Sequence, residues 1–380
     1  MLKYKFLIVS LCIIMLGCNT PKSNKDENDE TNTEKSNDFS LLAEQYGFSE
    51  SFFGSYNDGH GNSYDPDSNS FWLDTPYIEG LVLLQDRVEN LRIYRGNPIS
   101  DITFLENFTQ LKFLEIYDET NIENIESLKY LHNLETLFLS GKIENMEPLQ
   151  YLQNLTNLEV SAIVNLDDKI IDISPLGNLI NLNRIRLYYN TKIKNAESIF
   201  ELVNLEDLFL QTNEYTLDLR NISSLSKLKE LHIYSPAEID LTNVGTLPEL
   251  KRLSIGSTKI INMINLRNPE LERLDFHTWW GYPGEFKLDG LHNLEKLMSL
   301  NITHIDIYDV SPLLKIPNLL SVSFTDNFVD ITPLMESNTI KNITVYTYYK
   351  NTPKYKEISE HTLNIFKEKG IEVWFTNGGD

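Results

Sequence analysis

The sequence predicts an α/β solenoid: a right-handed superhelix with a parallel β-sheet on its concave side and mostly 3₁₀ or extended segments on its convex side. Three observations predict it. The first two are a short apolar unit that recurs along most of the chain and a second segment that returns between the units. The third is that both ends of the chain depart from the repeat. Solenoid ends must differ in this way, because a bare terminal repeat would expose the apolar core.

The recurring unit has the pattern L-x-x-L-x-L, in which Ile, Val or Phe also serve as the apolar residue. Steps between successive units range from 21 to 27 residues, and such regular spacing predicts stacked turns that share one apolar axis. The units begin at Val88, Leu111, Leu134, Leu155, Leu182, Leu205, Leu228, Leu250, Leu271, Leu294, Leu319 and Ile340.

Within a unit the residues alternate as the two faces of a strand do. In LNRIRLYYN (182–190), Ile185 and Leu187 point one way while Arg184, Arg186 and Tyr188 point the other. The register between 294 and 302 stays open, because LEKLMSLNI also permits a unit that begins three residues after the one proposed above.

The return segment recurs in forms such as IDISPL (171–176), YDVSPL (308–313) and VDITPL (329–334). Its Ile and Leu side chains are expected to turn inward. Pro148, Pro175, Pro312 and Pro333 favour a non-helical conformation there, because proline lacks a backbone donor and restricts φ. Stacked turns can bury these side chains together, which no single turn can do.

These units resemble leucine-rich repeats, and the D-I-S-P-L-type return is similar to that of the internalin-like bacterial branch. The resemblance covers about residues 88–345, and it implies a fold far more specifically than a function. That family usually has Asn just after the strand, where stacked amides satisfy the turn. Asn190, Asn213 and Asn327 hold this place here, but Glu119, Lys142, Pro236 and Thr258 hold it elsewhere, which predicts less regular turns.

Both ends are expected to form caps. Residues 39–87 are aromatic-rich and non-repetitive, which predicts an N-terminal cap before the repeats (about twelve) over 88–345. A helix that opens near Thr352-Pro353 and ends at Gly370, followed by the alternating strand IEVWF (371–375), predicts a C-terminal helix–strand cap over 346–380.

The N-terminus has the order of a targeting segment. Lys3 and Lys5 precede an apolar run that is too short for a membrane span of roughly 20 residues. The run ends at MLGC (15–18), which resembles the lipobox of bacterial lipoproteins and implies a signal peptide over 1–17 and lipid attachment at Cys18. Residues 18–38 are predicted to be a disordered tether. An ordinary secretory signal or a short buried helix stays open, since Met15 and Leu16 differ from the commonest lipobox residues.

This order predicts a protein of the bacterial cell envelope that contacts the membrane through its lipid. Asn19 follows the cysteine, and it lacks the aspartate that resembles an inner-membrane retention signal, which favours the outer membrane or cell surface. The net charge of −22 argues against nucleic acid, because phosphate binding needs clustered Lys and Arg. The oligomeric state is not indicated.

Outward strand positions are predicted to line the concave face and to bind a protein ligand, since exposed aromatic and arginine side chains dominate protein–protein hot spots. Cross-strand aromatic stacking that only stabilises the sheet is the alternative. The predicted residues are Tyr94, Phe113, Tyr117, Phe138, Arg184, Arg186, Tyr188, Phe209, His232, Tyr234, Arg252, Arg273, Asp275 and His277, with Tyr189, Trp279 and Trp280 just beyond the strands.

Signals for an enzyme, a cofactor or a metal are weak, and we expect none of the three. His232 and His277 should lie two repeats apart, roughly 10 Å, which is too far to share a metal. DPDSNSFWLD (65–74) begins like a calcium loop but has Ser70 where Gly is required, so a polar cap loop is the better interpretation.

Three functions follow in order of preference. The first is a lipid-anchored binding protein that recognises a protein ligand, of a host or of the envelope, or conceivably a glycan. The second is a periplasmic scaffold for other envelope components, without an outside ligand. The third is an enzyme with its site in a cap, for which only Asp65, Asp67, His60 and His361 are available.

Overall fold

The computed structural model describes residues 49–50, 56–57, 63–65, 67–74, 78, 81–82, 84–94, 99–117, 122–162, 169–189, 191–213, 216–278, 286–325, 329–347 and 358–377. The chain divides into two units, Met1–Ser49 and Glu50–Asp380, and the second contains nearly all of the described residues. The predicted signal peptide, Cys18, the tether, Trp279 and Trp280 lie outside the described residues.

Short strands recur along the second unit. In chain order the strands are β1 (Ser49–Glu50), β2 (Tyr56–Asn57), β3 (Ser63–Asp65), β4 (Ser70–Leu73), β5 (Asn90–Ile93), β6 (Phe113–Ile116), β7 (Thr136–Gly141), β8 (Asn157–Ala162), β9 (Ile170–Asp172), β10 (Arg184–Tyr189), β11 (Lys192–Lys194), β12 (Asp207–Gln211), β13 (Glu230–Tyr234), β14 (Glu238–Asp240), β15 (Arg252–Gly256), β16 (Lys259–Ile261), β17 (Arg273–His277), β18 (Ser299–Thr303), β19 (Ser321–Thr325), β20 (Asn342–Thr347) and β21 (Glu372–Asn377).

One parallel sheet joins most of these strands in register. It runs in the order β4, β5, β6, β7, β8, β10, β12, β13, β15, β17, β18, β19, β20 and β21. Two small parallel pairs, β9 with β11 and β14 with β16, lie beyond the ends of the main strands. The ladder therefore begins one strand before the predicted first repeat and continues through the predicted C-terminal cap.

The inward side chains of the main sheet form the core. In β13, Leu231 is 0% exposed and Ile233 is 1% exposed, while Glu230, His232 and Tyr234 on the other face are half-buried. Each fully buried Leu contributes about 1.5–3 kcal/mol relative to an exposed one. The prediction of a solenoid with a shared apolar axis and a concave parallel sheet is confirmed.

The convex side consists of short 3₁₀ helices. They are η1 (Thr103–Asn107), η2 (Glu126–Tyr130), η3 (Glu147–Tyr151), η4 (Ser174–Asn178), η5 (Ala196–Glu201), η6 (Ile222–Ser224), η7 (Val244–Thr246), η8 (Met263–Asn265), η9 (Leu291–Asn293), η10 (Ser311–Lys315) and η11 (Thr332–Glu336). Pro occupies one of the first two positions of η3, η4, η10 and η11, as the return segment predicts.

The aspartate of the return segment opens these helices. An oxygen of Asp172 accepts a hydrogen bond from the backbone N–H of Ser174 at 3.0 Å, and Asp309 accepts one from Ser311 at 2.8 Å. Asn145 takes the same role for Glu147 at 2.9 Å. The side chain thus satisfies a donor that the first helical turn leaves without a partner.

Asparagine side chains form a regular ladder at a position that the resemblance does not name, one residue before the unit. The side-chain amides of Asn133, Asn154, Asn181, Asn204 and Asn318, each one residue before a unit, donate to backbone carbonyls of the preceding turn. The recurring dipeptide Asn-Leu was the sequence signal for this ladder.

Buried hydroxyls satisfy the turns that follow the strands. Thr212 is 1% exposed and donates from Oγ1 to the carbonyl of Thr191 at 2.9 Å, and Ser257 is 0% exposed and donates to Ala237 at 2.8 Å. A buried hydroxyl thus donates to a backbone carbonyl both in the turn that contains Asn213 and in the turn that has Thr258 in its place.

The structure resolves the register that the sequence left open, and it corrects one predicted boundary. Leu274 pairs with Leu300, so the tenth unit begins at Leu297 and not at Leu294, which occupies the preceding inward position. The C-terminal helix α1 (Glu360–Glu368) begins after Ser359, whose hydroxyl caps it, and not near Thr352-Pro353, which lies outside the described residues. Gly370, at φ +72°, ends the helix as predicted.

No helix within the described ranges combines the length and the apolar character that a membrane crossing demands.

Candidate functional site

The concave face presents three outward positions on each main strand. Except for Tyr189, which is buried, the predicted site residues within the described ranges occupy these positions or directly follow them, and they are half-buried or exposed. Their placement agrees with the prediction, whereas their role in binding a ligand stays a prediction.

An aromatic ridge crosses the middle of this face. We use the name for the rings of Tyr188, Phe209, Tyr234 and His277, which lie on β10, β12, β13 and β17. Ring centroids are 4.4 Å apart from Tyr188 to Phe209, 5.1 Å from Phe209 to Tyr234, and 4.6 Å from Tyr234 to His277. The rings therefore contact one another across the strands, as the alternative interpretation expected, in tilted arrangements with interplanar angles of 34° to 47°.

Gly256 allows the ridge to cross β15. A Cβ atom at this position would lie 2.4 Å from Nε2 of His277 and 2.5 Å from Cδ1 of Tyr234. The two rings meet over the glycine, and the hydroxyl of Tyr234 reaches Oγ of Ser254 at 2.7 Å. The absence of a side chain at this one position thus connects the last two rings.

The predicted arginines are held by carboxylates, three of them by a carboxylate of a neighbouring strand and Arg273 by one of its own strand. Arg186 Nη2 lies 2.7 Å and Arg184 Nε 3.2 Å from Oδ2 of Asp207. Arg252 contacts Glu230 at 3.0 Å, and Arg273 contacts Asp275 on its own strand at 2.9 Å. These ion pairs border the ridge and set the direction of each guanidinium group.

Both histidines of this face are neutral near pH 7. Burial, together with the neighbouring His304, lowers the pKa of His277 to about 4, although the carboxylate of Asp275 opposes the shift. Burial likewise lowers the pKa of His232. They therefore behave as aromatic and hydrogen-bonding groups and not as cations.

A cluster that sequence reasoning missed brings Asp207, Glu230 and His232 together, with one possible ligand atom of each within 4.8 Å of the others. Arg186 and Arg252 already contact the two carboxylates. The positive charge of these guanidinium groups opposes a cation at this point. The register of β12 and β13 was the signal for this cluster, since it places Asp207 beside Glu230.

The C-terminal cleft lies beyond the ridge. It has a volume of about 910 Å³ and is bordered by Tyr234 and His277 on one side and by Tyr346 on the other. Its lining combines small hydrogen-bonding side chains with charged ones. The small ones are Ser299, Asn301, Thr303, Ser323 and Thr325, and the charged ones are Arg252, Glu272, Arg273 and Asp275.

The N-terminal cleft lies before the ridge and has a volume of about 420 Å³. Tyr117 and Tyr188 form its two sides, and the small residues Ser140 and Ser161 form the floor between them. Three further side chains line it: Glu115, Phe138 and Glu159. Tyr117 stacks on Tyr94 with ring centroids 5.6 Å apart.

Tyr189 departs from the expectation that it lies beyond the strand with the exposed aromatics. It is 0% exposed, because it is the inward neighbour of Tyr188 in β10 and pairs with Ala162. Its hydroxyl lies 4.0 Å from Sδ of Met146, and burial raises the pKa of Tyr189. Tyr188 and Tyr189 thus lie on opposite faces of the sheet.

The calcium-like segment forms a tight turn between the antiparallel strands β3 and β4. One oxygen of Asp65 accepts from the backbone N–H of Asp67 at 3.0 Å, and the other accepts from the hydroxyl of Ser68 at 2.7 Å. Asn69 is left-handed at φ +50°. The carboxylate of Asp65, which would be the first ligand of a calcium loop, therefore accepts hydrogen bonds from within the turn.

Solved structures of two bacterial proteins are similar to this chain. An internalin from Listeria monocytogenes aligns with a TM-score of 0.61 at 22% identity, over 81% of this chain and 86% of that one. A leucine-rich-repeat protein of Leptospira interrogans aligns with a TM-score of 0.51 at 15% identity, over 80% of this chain and 88% of that one. No model of a protein family and no curated protein matches the sequence. The chain therefore has a leucine-rich-repeat fold like that of these two bacterial proteins.

Proposed function

We propose that this protein is a lipid-anchored binding protein of the bacterial cell envelope that recognises a protein ligand with its concave face. The observation that supports the proposal is the aromatic ridge, a row of half-buried rings held at centroid distances of 4.4 to 5.1 Å across β10 to β17. Aromatic side chains that are already ordered lose little conformational entropy when a partner covers them.

The ridge is tested by capture. The full chain in detergent serves as bait against envelope extract and host-cell lysate, and the Phe209→Ala bait is compared with the parent. We expect Phe209→Ala to lose the captured protein, while Tyr151→Ala, which removes a tyrosine that is 50% exposed on η3, keeps it. Equal capture by all three baits overturns the proposal. Thermal unfolding of each bait distinguishes lost recognition from lost structure.

The anchor is tested separately. We expect an alkyne-tagged fatty acid fed to the cells to label the parent and Cys12→Ser but not Cys18→Ser. Label on Cys18→Ser overturns the proposed attachment site. Protease treatment of intact cells then distinguishes a surface protein, which is degraded, from a periplasmic scaffold, which survives.

A further inference from the structure

The N-terminal cleft contains one carboxylate that the protein itself does not pair. Glu159 is half-buried on β8, and within the described part of the chain it forms neither a hydrogen bond nor an ion pair. Its neighbour across the cleft is different, because Glu115 contacts Nε of Arg92 at 3.0 Å and accepts from the hydroxyl of Tyr117.

The register explains why Glu159 has no ion-pair partner among the residues that the structure describes. Arg186 pairs with Glu159 on one side and with Phe209 on the other. Its guanidinium group turns to the far side, where Oδ2 of Asp207 lies 2.7 Å away, and Arg184 turns to the same atom at 3.2 Å. The two nearest cations are thus committed to the next repeat.

Aromatic ring faces border the same cleft. Tyr117 stacks on Tyr94 with an interplanar angle of 8°, so the other face of its ring is turned toward the cleft. Tyr188 leans on Phe209 away from the cleft, which likewise leaves one ring face on the cleft side. Their Cα atoms are three strands apart, about 14 Å at the spacing of a sheet, with only Ser140 and Ser161 between them.

We propose that the N-terminal cleft receives a basic side chain, arginine or lysine, of the protein ligand, with its charge on Glu159 and its stem against the rings of Tyr117, Phe138 and Tyr188. A cation that approaches both a carboxylate and an aromatic face gains an ion pair and a cation–π contact. The net charge of −22 favours the encounter with a basic partner. This inference rests on the proposed function, since it assigns one contact of the same concave face.

Burial raises the pKa of Glu159, and Arg184 and Arg186 only partly oppose the shift. A cation in the cleft stabilises the ionised form, so binding is expected to weaken as the pH falls through the pKa of this carboxyl. The other titratable groups that face Glu159 are Glu115 and Asp207.

The test needs no knowledge of the ligand. The full chain with ¹³C-labelled tyrosine rings is titrated with the peptides Gly-Arg-Gly, Gly-Lys-Gly and Gly-citrulline-Gly, where citrulline has the shape of arginine without its charge. The NMR signals of Tyr117 and Tyr188 are assigned from their Phe variants. We expect saturable shifts with the arginine or lysine peptide and none with citrulline.

Glu159→Gln is expected to weaken the binding of the cationic peptide about tenfold, as the loss of one charged contact. Glu106→Gln is the matched control, because it removes the same charge from an exposed position on η1. Equal shifts with citrulline, or unchanged binding by Glu159→Gln, overturn the inference. If neither peptide binds while Phe209→Ala still loses the captured protein, the inference fails and the proposed function stands. If a peptide binds while Phe209→Ala keeps the captured protein, the proposed function fails and the cleft remains a cation site.

Discussion

The two clefts on either side of the aromatic ridge have the same repeating backbone but differ in the charge of their lining residues. The N-terminal cleft is lined by two glutamates and aromatic rings, whereas the C-terminal cleft is lined by charges of both signs, with Arg252 and Arg273 beside Glu272 and Asp275, and by Ser, Thr and Asn side chains. Beneath both, the inward residues are the same apolar set: Leu158 and Val160 under one are 1% and 0% exposed, and Leu300 and Ile302 under the other are 1% and 0% exposed. The comparison indicates that the inward residues are the same throughout the sheet, as a shared core requires, and that the outward residues are free to differ from one repeat to the next.

The largest expected effect tests this separation directly. Leu231→Ala removes a fully buried side chain from β13, and it should lower the free energy of unfolding by about 2–5 kcal/mol. Ser323→Ala, on the floor of the C-terminal cleft, should change it by less than about 0.5 kcal/mol. Denaturant unfolding measures both. Similar losses in the two variants would contradict the separation.

His277 is an outward residue that should nevertheless affect stability. Its pKa is lowered to about 4, so between that value and about 6.5 the unfolded state binds more protons than the folded state. The free energy of unfolding should therefore fall as the pH drops through this window, by at most about 3 kcal/mol from this group. Unfolding at several pH values between 7 and 4 measures the slope.

His277→Phe keeps a ring in the ridge and removes the proton-binding site, so its slope should be flatter over the same window. The pKa of His232 is also lowered, so part of the dependence of the unfolding free energy on pH should persist in both the parent and His277→Phe. Identical slopes would show that His277 does not titrate as the structure implies.

Gly256→Ala tests the link between the ridge and the C-terminal cleft. The added methyl group occupies the point where Tyr234 and His277 meet, so their rings should separate at a cost of about 1 kcal/mol in the free energy of unfolding. NMR contacts between the two rings measure the separation. Ser254→Ala is the control, because it removes only the hydrogen bond of the Tyr234 hydroxyl. Contacts that persist in Gly256→Ala would contradict the prediction.

The smallest effect concerns the convex side. Hydrogen bonds from the side chain and backbone of Ser311 lower the pKa of Asp309, so its contribution to stability is present above pH 4 and lost as the pH falls below that value. Asp309→Asn keeps the acceptor, as Asn145 does in η3, and should flatten acid unfolding only slightly, because the group is exposed. Thermal unfolding at pH 3 and 7 compares the two proteins. A steeper acid loss in the variant would contradict the assignment.

The sequence was sufficient for the repeat and for the two faces of each strand. The apolar alternation of LNRIRLYYN (182–190) correctly places Ile185 and Leu187 inside, and it places Arg184, Arg186 and Tyr188 outside. It was not sufficient for Tyr189, because the alternation places this residue on the inward face only if the strand continues to it, and the sequence did not show where the strand ends. The space that its ring fills is formed by other turns, including that of Met146.

Pairing between repeats was beyond the sequence as well. Outward alternation predicts that Arg186 faces solvent, but not that it turns to Asp207 and leaves Glu159 without a partner. The choice depends on how neighbouring turns stack. The ladder of asparagine side chains could have been predicted from the sequence, because the dipeptide Asn-Leu recurs at one position of the unit.

The sequence by itself determined the coil, its step and the identity of the outward residues, because a two-residue alternation and a repeat near 22 residues are properties of the chain alone. The tertiary structure alone decided which outward residues meet. Contacts such as Tyr188 with Phe209, Tyr234 with His277 over Gly256, and both arginines with Asp207 join residues about 20 or more positions apart. Such contacts arise only when one turn of the solenoid stacks on the next.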